Sequence, residues 1–213
     1  MNISEILFGP KTKSILRSIK KGNIEEINSF IQNGGNVNEV NDERSLLHFA
    51  IDNCEDNYYE AIELLINSGA DINSTQSHTK ETPLHRVCAR IRPRMDVVKL
   101  LLERGSDVNI ENISGKTPIF HCNFSFSVEL LKLLLDYGAD IKHTDKYNNT
   151  ILHEDYVLCG DKYDFEEYLK FILSLGIDIN SENNVGHTPL FLCKNKDIGN
   201  ILFEYSKKSE LKS

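Results

Sequence analysis

Short apolar runs recur along the chain: Leu64-Leu65-Ile66, Leu100-Leu101-Leu102, Leu133-Leu134-Leu135 and Phe171-Ile172-Leu173. Each is followed three residues later by a glycine, at Gly69, Gly105, Gly138 and Gly176. A glycine there ends a helix, because it takes the left-handed backbone without a Cβ clash. Ahead of one such run, Leu84, Val87 and Cys88 stand at spacings of three and four, which predicts a first helix. Thr82 can cap that helix through its hydroxyl, and Pro83 takes the first helical position, where its missing N–H costs nothing. After a turn at Arg92-Pro93-Arg94, a second helix carries Val97, Val98 and Leu100 to Leu102. Asp107-Val108-Asn109 and Asn112-Ile113-Ser114-Gly115 then lead through a polar turn to the next Thr-Pro. One unit therefore reads helix, turn, helix, extended turn. Neither helix can bury its stripe alone, so each needs neighbouring units as its other wall.

Two motifs keep this phase. Thr82-Pro83-Leu84-His85, Thr117-Pro118-Ile119-Phe120, Thr150-Ile151-Leu152-His153 and Thr188-Pro189-Leu190-Phe191 are spaced by 35, 33 and 38 residues. The glycine motif runs Gly34 to Asn38, Gly69 to Asn73, Gly105 to Asn109, Gly138 to Lys142 and Gly176 to Asn180, at spacings of 35, 36, 33 and 38. An interval in the mid-thirties marks an array of one small unit, which offers a long surface and no built-in pocket. The reading at this point is binding.

Composition narrows the reading. The 24 Lys+Arg stand against 32 Asp+Glu, a formal charge of −8, which disfavours a nucleic-acid footprint. No apolar run suits a signal peptide or a membrane span, so a soluble, cytoplasmic protein is expected, free of membrane contact. The five cysteines, Cys54, Cys88, Cys122, Cys159 and Cys193, follow the repeat and not a metal-ligand spacing. They are expected to be structural thiols, with Cys88, Cys122 and Cys193 packed between helices as small apolar groups.

The whole pattern resembles the ankyrin repeat, over about residues 14–205: T-P-L-H opening the first helix, an apolar pair in the second, G-A-D-V-N at the exit. The resemblance implies an all-α solenoid of helix-turn-helix units with projecting β-turn tips, about five to six repeats including caps. It places an N-terminal capping unit at 1–40, repeats at 41–75, 76–111, 112–144 and 145–182, a C-terminal capping unit at 183–205 and a polar tail at 206–213, all in one domain spanning 1–213. It makes Thr82, His85, Thr150, His153 and His48 structural, hydrogen-bonding within and between repeats. Phe120 and Phe191 stand where the histidine belongs, and the unit at Thr150 lacks its proline and is lengthened by Leu158 to Tyr163, so it is expected to be the least regular.

In such arrays partners meet the turn tips and the first helices. Carried over, the candidate partner-binding residues on the tips are Asp42, Arg44, His78, Lys80, Asn112, Lys116, Lys146, Tyr147, Asn184 and His187. A basic cluster of Arg86, Arg90, Arg92 and Arg94 adds a second candidate, since arginine is favoured at interfaces. Phe124 and Phe126 exceed what the repeat needs and are expected to be exposed. No phosphate-binding loop, nucleophile elbow, dinucleotide fingerprint or zinc-protease motif occurs, so an enzyme, a cofactor and a metal are not expected.

The texture is rich in Asn, Ile, Lys, Ser and Asp, with no Trp, and it looks like the ankyrin proteins of large DNA viruses, poxviruses above all. Many of those pair the array with a C-terminal F-box-like segment that recruits a host ubiquitin ligase. The resemblance implies a monomer that captures a host signalling or restriction factor. The alternatives are an ankyrin-only inhibitor that masks a transcription factor such as NF-kappaB, and a bacterial or protist effector or scaffold.

Overall fold

The computed structural model describes residues 10–41, 44–154 and 163–210. Within them the chain is all-α but for one described sheet, a hairpin of the two-residue strands β1 (Val40–Asn41) and β2 (Arg44–Ser45). Its register pairs Val40 with Ser45 and Asn41 with Arg44.

The chain divides into two compact units, 1–87 with 94–107, and 88–93 with 108–213. The first holds α1 (Pro10–Lys20), α2 (Ile24–Gln32), α3 (Leu46–Asn53), α4 (Tyr58–Asn67), α5 (Pro83–Cys88, through Val87) and α6 (Met95–Glu103). The second holds a 3₁₀ helix at Pro118–Phe124, α7 (Val128–Asp136), a 3₁₀ turn at Ile151–His153, α8 (Tyr163–Ser174), α9 (Pro189–Leu192) and α10 (Lys196–Glu210).

Apolar spacing explains the packing. Leu46, Leu47, Ala50 and Ile51 of α3, Ala61, Ile62 and Leu65 of α4, and Val97, Val98 and Leu101 of α6 are fully buried in the first unit. Leu130, Leu131 and Leu134 of α7, with Tyr168, Leu169 and Ile172 of α8, do the same in the second. Each fully buried Leu, Ile or Val contributes roughly 1.5–3 kcal/mol, so these interfaces decide whether the short helices form at all.

Two expectations are adjusted. Thr117-Pro118 opens a 3₁₀ segment and not an α-helix, and after Thr150 only a 3₁₀ turn forms before the chain leaves the described residues at 155–162, which contain Cys159 and Leu158. The final helix runs on to Glu210, five residues past Tyr205, where a polar tail was expected. Of the thiols, Cys88 and Cys122 are buried, whereas Cys193 is only half-buried and donates to the carbonyl of Asn195 at 3.2 Å.

Candidate functional site

The tips are built by one device in three copies, all in the second unit. Asn112 Oδ1 accepts from the backbone N–H of Ser114 and Lys116, at 2.9 and 3.0 Å. Asp145 Oδ1 accepts from Tyr147 and Asn149, both at 2.9 Å, and Asn183 Oδ1 from Val185 and His187, at 3.2 and 3.0 Å. A short side chain closing on its own following amides holds a turn without help from a helix or sheet. Each turn also closes its backbone, Asn112 to Lys116 at 2.9 Å, Asp145 to Asn149 at 3.0 Å and Asn183 to His187 at 3.0 Å. The left-handed fourth position is filled by Gly115, Asn148 and Gly186.

These turns bond edge to edge. Lys146 N–H donates to the Ser114 carbonyl at 3.0 Å, and Asn184 N–H to the Tyr147 carbonyl at 2.9 Å. Side-chain amides reinforce the second joint: Asn148 Nδ2 reaches the Glu182 carbonyl at 2.8 Å, and Asn183 Nδ2 reaches Asn149 Oδ1 at 2.9 Å. The result is a fixed edge and not a set of independent loops.

In each of the two units, histidines tie first helices to tips. His48 Nε2 lies 3.0 Å from the Glu81 carbonyl, and His153 Nε2 lies 3.1 Å from the His187 carbonyl. A carbonyl can only accept, so Nε2 carries the hydrogen and Nδ1 is the acceptor for Ser45 Oγ–H at 2.8 Å and for Thr150 N–H at 3.1 Å. Thr82 and His85 repeat the arrangement, with Oγ1 to Nδ1 at 2.8 Å. Phe120 ends it locally: Thr117 Oγ1 is buried with no hydrogen-bond partner among the described residues, and the Phe120 ring instead meets His143 edge-on at 6.0 Å.

Burial, opposed by the bond to Glu81, pushes the His48 imidazole below its ordinary value, and burial does the same to His153 against the His187 carbonyl. A group held below its unfolded value stabilises the fold only while neutral. Unfolded histidine protonates near 6.5. Stability should therefore be complete above that pH and fall as the pH drops below it toward the folded values. Melting temperature measured from pH 7.5 to 5.5 should decline over that window. His153→Phe, the residue the chain itself carries at 120 and 191, should flatten part of the decline.

A third bridge spans neighbouring exits. Asn38 donates to the Gly69 carbonyl and accepts from Asp71 N–H, at 2.9 and 2.7 Å. Asn73 does the same to Gly105 and Asp107, at 3.3 and 2.9 Å, and Asn109 to Gly138 and Asp140, at 3.0 and 3.1 Å. The fourth copy of this position is Lys142, which has no acceptor to offer Asp178 N–H. Lys142→Asn should restore the pair and stabilise by about 1 kcal/mol, raising the melting temperature by a few degrees in calorimetry.

The candidate residues fall into distinct surroundings. Asp42 lies outside the described residues. Lys146, Tyr147, Asn184 and His187 are brought together on the bonded tips, with Tyr147 64% exposed. Asn112 is buried in its own turn and shapes the tip without facing out. Lys116 Nζ is held 2.8 Å from Glu154, and Lys80 and His78 are exposed.

In the basic cluster, Arg86 and Arg94 are tied to carboxylates. Arg86 spans Asp52 at 3.0 Å and Glu81 at 3.1 Å, and Arg44 reaches the same Asp52 at 3.3 Å. Arg94 is paired with Asp96 at 2.9 Å and lies 4.9 Å over the Tyr58 ring. Arg92 is exposed and Arg90 half-buried, both in the second unit, whereas Arg86 and Arg94 belong to the first. Nor are Phe124 and Phe126 exposed: Phe124 stacks on His121 at 5.9 Å, and Phe126 meets buried Tyr168 at 5.7 Å. Two apolar tip residues went unnoticed in the sequence, Ile113 at 54% exposed and Val185 at 69%. The helix-period count passes over them because they sit between helices.

Among the described residues, no group of three or more His, Cys, Asp or Glu is placed to hold a metal ion. No described helix is long and apolar enough to cross a membrane.

A family model of three ankyrin repeats matches residues 54–145. The chain is 35% identical over 135 residues to an ankyrin repeat protein of variola virus, OPG189, covering 60% of this chain and 23% of that one. It is 31% identical over 144 residues to a putative ankyrin repeat protein of fowlpox virus, FPV222, covering 67% and 18%. It is 28% identical over 148 residues to the human ankyrin repeat and SOCS box protein 6, covering 66% and 34%. The chain thus spans about a third or less of the length of these relatives. Ankyrin repeats are a non-enzymatic protein-interaction fold. The matched model, the recurring caps and bridges and these relatives together place the chain among the ankyrin-repeat proteins.

Proposed function

We propose that this chain is a viral binding module that captures a host signalling or restriction factor through its turn tips. The observation that carries the reading is the rigid edge of mutually bonded tips with side chains left facing outward. A prefixed surface loses little freedom on binding, so its contacts translate into affinity. The likeness to variola and fowlpox ankyrin repeat proteins supports the viral setting. A relative named for a SOCS box beside its ankyrin repeats supports a second reading, in which the chain is the recognition part of a larger ubiquitin-ligase assembly.

Capture from host-cell extract followed by mass spectrometry tests the proposal. Wild type should enrich a host protein that the Lys80→Glu/Lys146→Glu variant, still folded, enriches less. Lys146 is chosen over Lys116 because Lys116 is already tied to Glu154. Ligase subunits recovered alongside the partner would support the recognition-part reading. A transcription factor as the captured protein would favour masking instead. No enrichment over a scrambled control would contradict the proposal.

A further inference from the structure

The second helices share one register, counted back from the exit glycine. Eight and four residues before it stand Ala61 and Leu65, Val97 and Leu101, Leu130 and Leu134, and Tyr168 and Ile172, all fully buried. In α2 the same two positions are Glu26, exposed, and Phe30, half-buried. Tyr168 shows which way this side faces: its hydroxyl donates to Asn123 and its ring meets Phe126, both in the preceding repeat. The backward side of α2 is therefore open. It forms one wall of a hollow of about 620 Å³, whose lining includes Ser14, Ser18, Glu26, Ser29, Phe30 and Glu39.

Helix α10 is open on its other side. Gly199 follows the capping Asn195 by four residues, as Val98 follows Arg94 and Leu131 follows Ser127. Val98 and Leu131 are fully buried, whereas Gly199 is half-buried and Phe203, one turn on, is 46% exposed. A Cβ added at Gly199 would meet only Cys193 Sγ, at 3.9 Å. The first helix agrees. Phe191 stands three residues after its capping Thr188, as Phe120 does after Thr117 and His153 after Thr150. Those two rings meet groups that follow them in the array, His143 and the His187 carbonyl, yet Phe191 is 69% exposed.

We propose that these two open sides are one interface: the α9–α10 end of one copy, its tail, stacks on the α1–α2 end, the head, of a second copy. Position is the first argument, since each end presents the side that inner repeats turn to their neighbours. Charge is the second. On α10, spacings of three and four bring Lys196, Gly199, Phe203 and Lys207 to one face, two cations and no acid. The Lys207 ammonium lies 4.2 Å over the Phe203 ring. The hollow offers Glu26 and Glu39 and, among the described residues, no base, so Lys207 meets a carboxylate where Phe203 meets Phe30. Such a contact is heterologous and leaves one end of each pair open for a further copy. The monomer implied by the resemblance then holds only in dilute solution.

Sedimentation velocity of the whole chain tests this. A small, transient interface predicts the mass of one chain at about 1 µM and a weight-average at least about 1.5-fold higher at roughly 300 µM. Lys207→Glu at the tail and Glu26→Lys at the head should each weaken association at least about tenfold, because each sets like charges together. Mixed in equal amounts, the two variants should associate again, since the mixture still holds a wild-type tail and a wild-type head. Lys207 is exposed, and Ser18, which bonds Glu26, keeps the Ser14 carbonyl at 3.0 Å, so both variants should melt as wild type does. If Glu26→Lys does not, Ser29→Arg on the same hollow carries the same expectation. Wild type that stays a single chain at every concentration overturns the proposal. So does a dimer that Lys207→Glu abolishes and the head variants leave intact, which would mean two tails in contact, and so do variants that remain apart when mixed.

Discussion

Gly22→Ala should remove most of the stability of the first unit, by about 4 kcal/mol or more. Two costs add at this position. The backbone is left-handed, φ +59°, which a residue with a Cβ adopts at about 1–2 kcal/mol. The added Cβ would also fall 1.8 Å from the Asp56 carbonyl oxygen, and that atom is backbone, so the α1–α2 turn must lift off the loop before α4. The lift also strains the bond from Asn57 Nδ2 to the Gly22 carbonyl, 3.0 Å long. Gly34→Ala separates the two costs. Its φ is +76° and nothing lies within 4 Å of the added Cβ, so only the conformational cost of about 1 kcal/mol remains. Denaturant unfolding of both variants should show the large gap. Equal losses would mean that the close approach at Asp56 does not matter.

Leu101→Ala should cost about 2–5 kcal/mol. Leu101 is fully buried in α6, beside Val97 and Val98, and α6 packs on α4. Nine- and ten-residue helices do not hold themselves together in water. The truncation therefore removes the wall that makes α4 and α6 form, and the loss should be cooperative. Chemical denaturation followed by circular dichroism should show one transition moved to lower denaturant. A loss confined to a few tenths of a kcal/mol would mean the site collapses around the cavity.

The repeat, its caps and its helical faces were legible in the sequence because each depends on residues within one period. Thr150, His153 and the glycines at 69, 105, 138 and 176 announce their roles by type and phase. What stayed hidden depends on partners a period or more away. Arg86 reads as a free cation until Asp52, 34 residues earlier, is seen to neutralise it. Phe126 reads as a surplus ring until Tyr168 closes over it. Tyr168 itself donates to Asn123 Oδ1 at 2.7 Å, a pairing 45 residues apart that no local pattern encodes. The bridging asparagines were half visible. Asn38, Asn73 and Asn109 share one position in the glycine motif, but only their distances to the next exit show why asparagine is used and what Lys142 gives up.

The candidate surface divides in the same way. Tyr147 and Lys146 were reached because the resemblance carries partner contacts onto the turn tips. Ile113 and Val185 were missed because an apolar residue in a turn carries no periodic signal and is recognised only once its exposure is known. Asn112, in turn, looked like a contact residue and proved to be the brace of its tip.

Hydrogen exchange on the purified complex of this chain with its captured host protein tests the central claim most directly. Binding through the tips predicts new protection concentrated at 77–81, 111–116, 145–148 and 183–187, with the second helices α4, α6 and α7 unchanged. Protection confined to those second helices, with the tips exchanging as in the free chain, would contradict it.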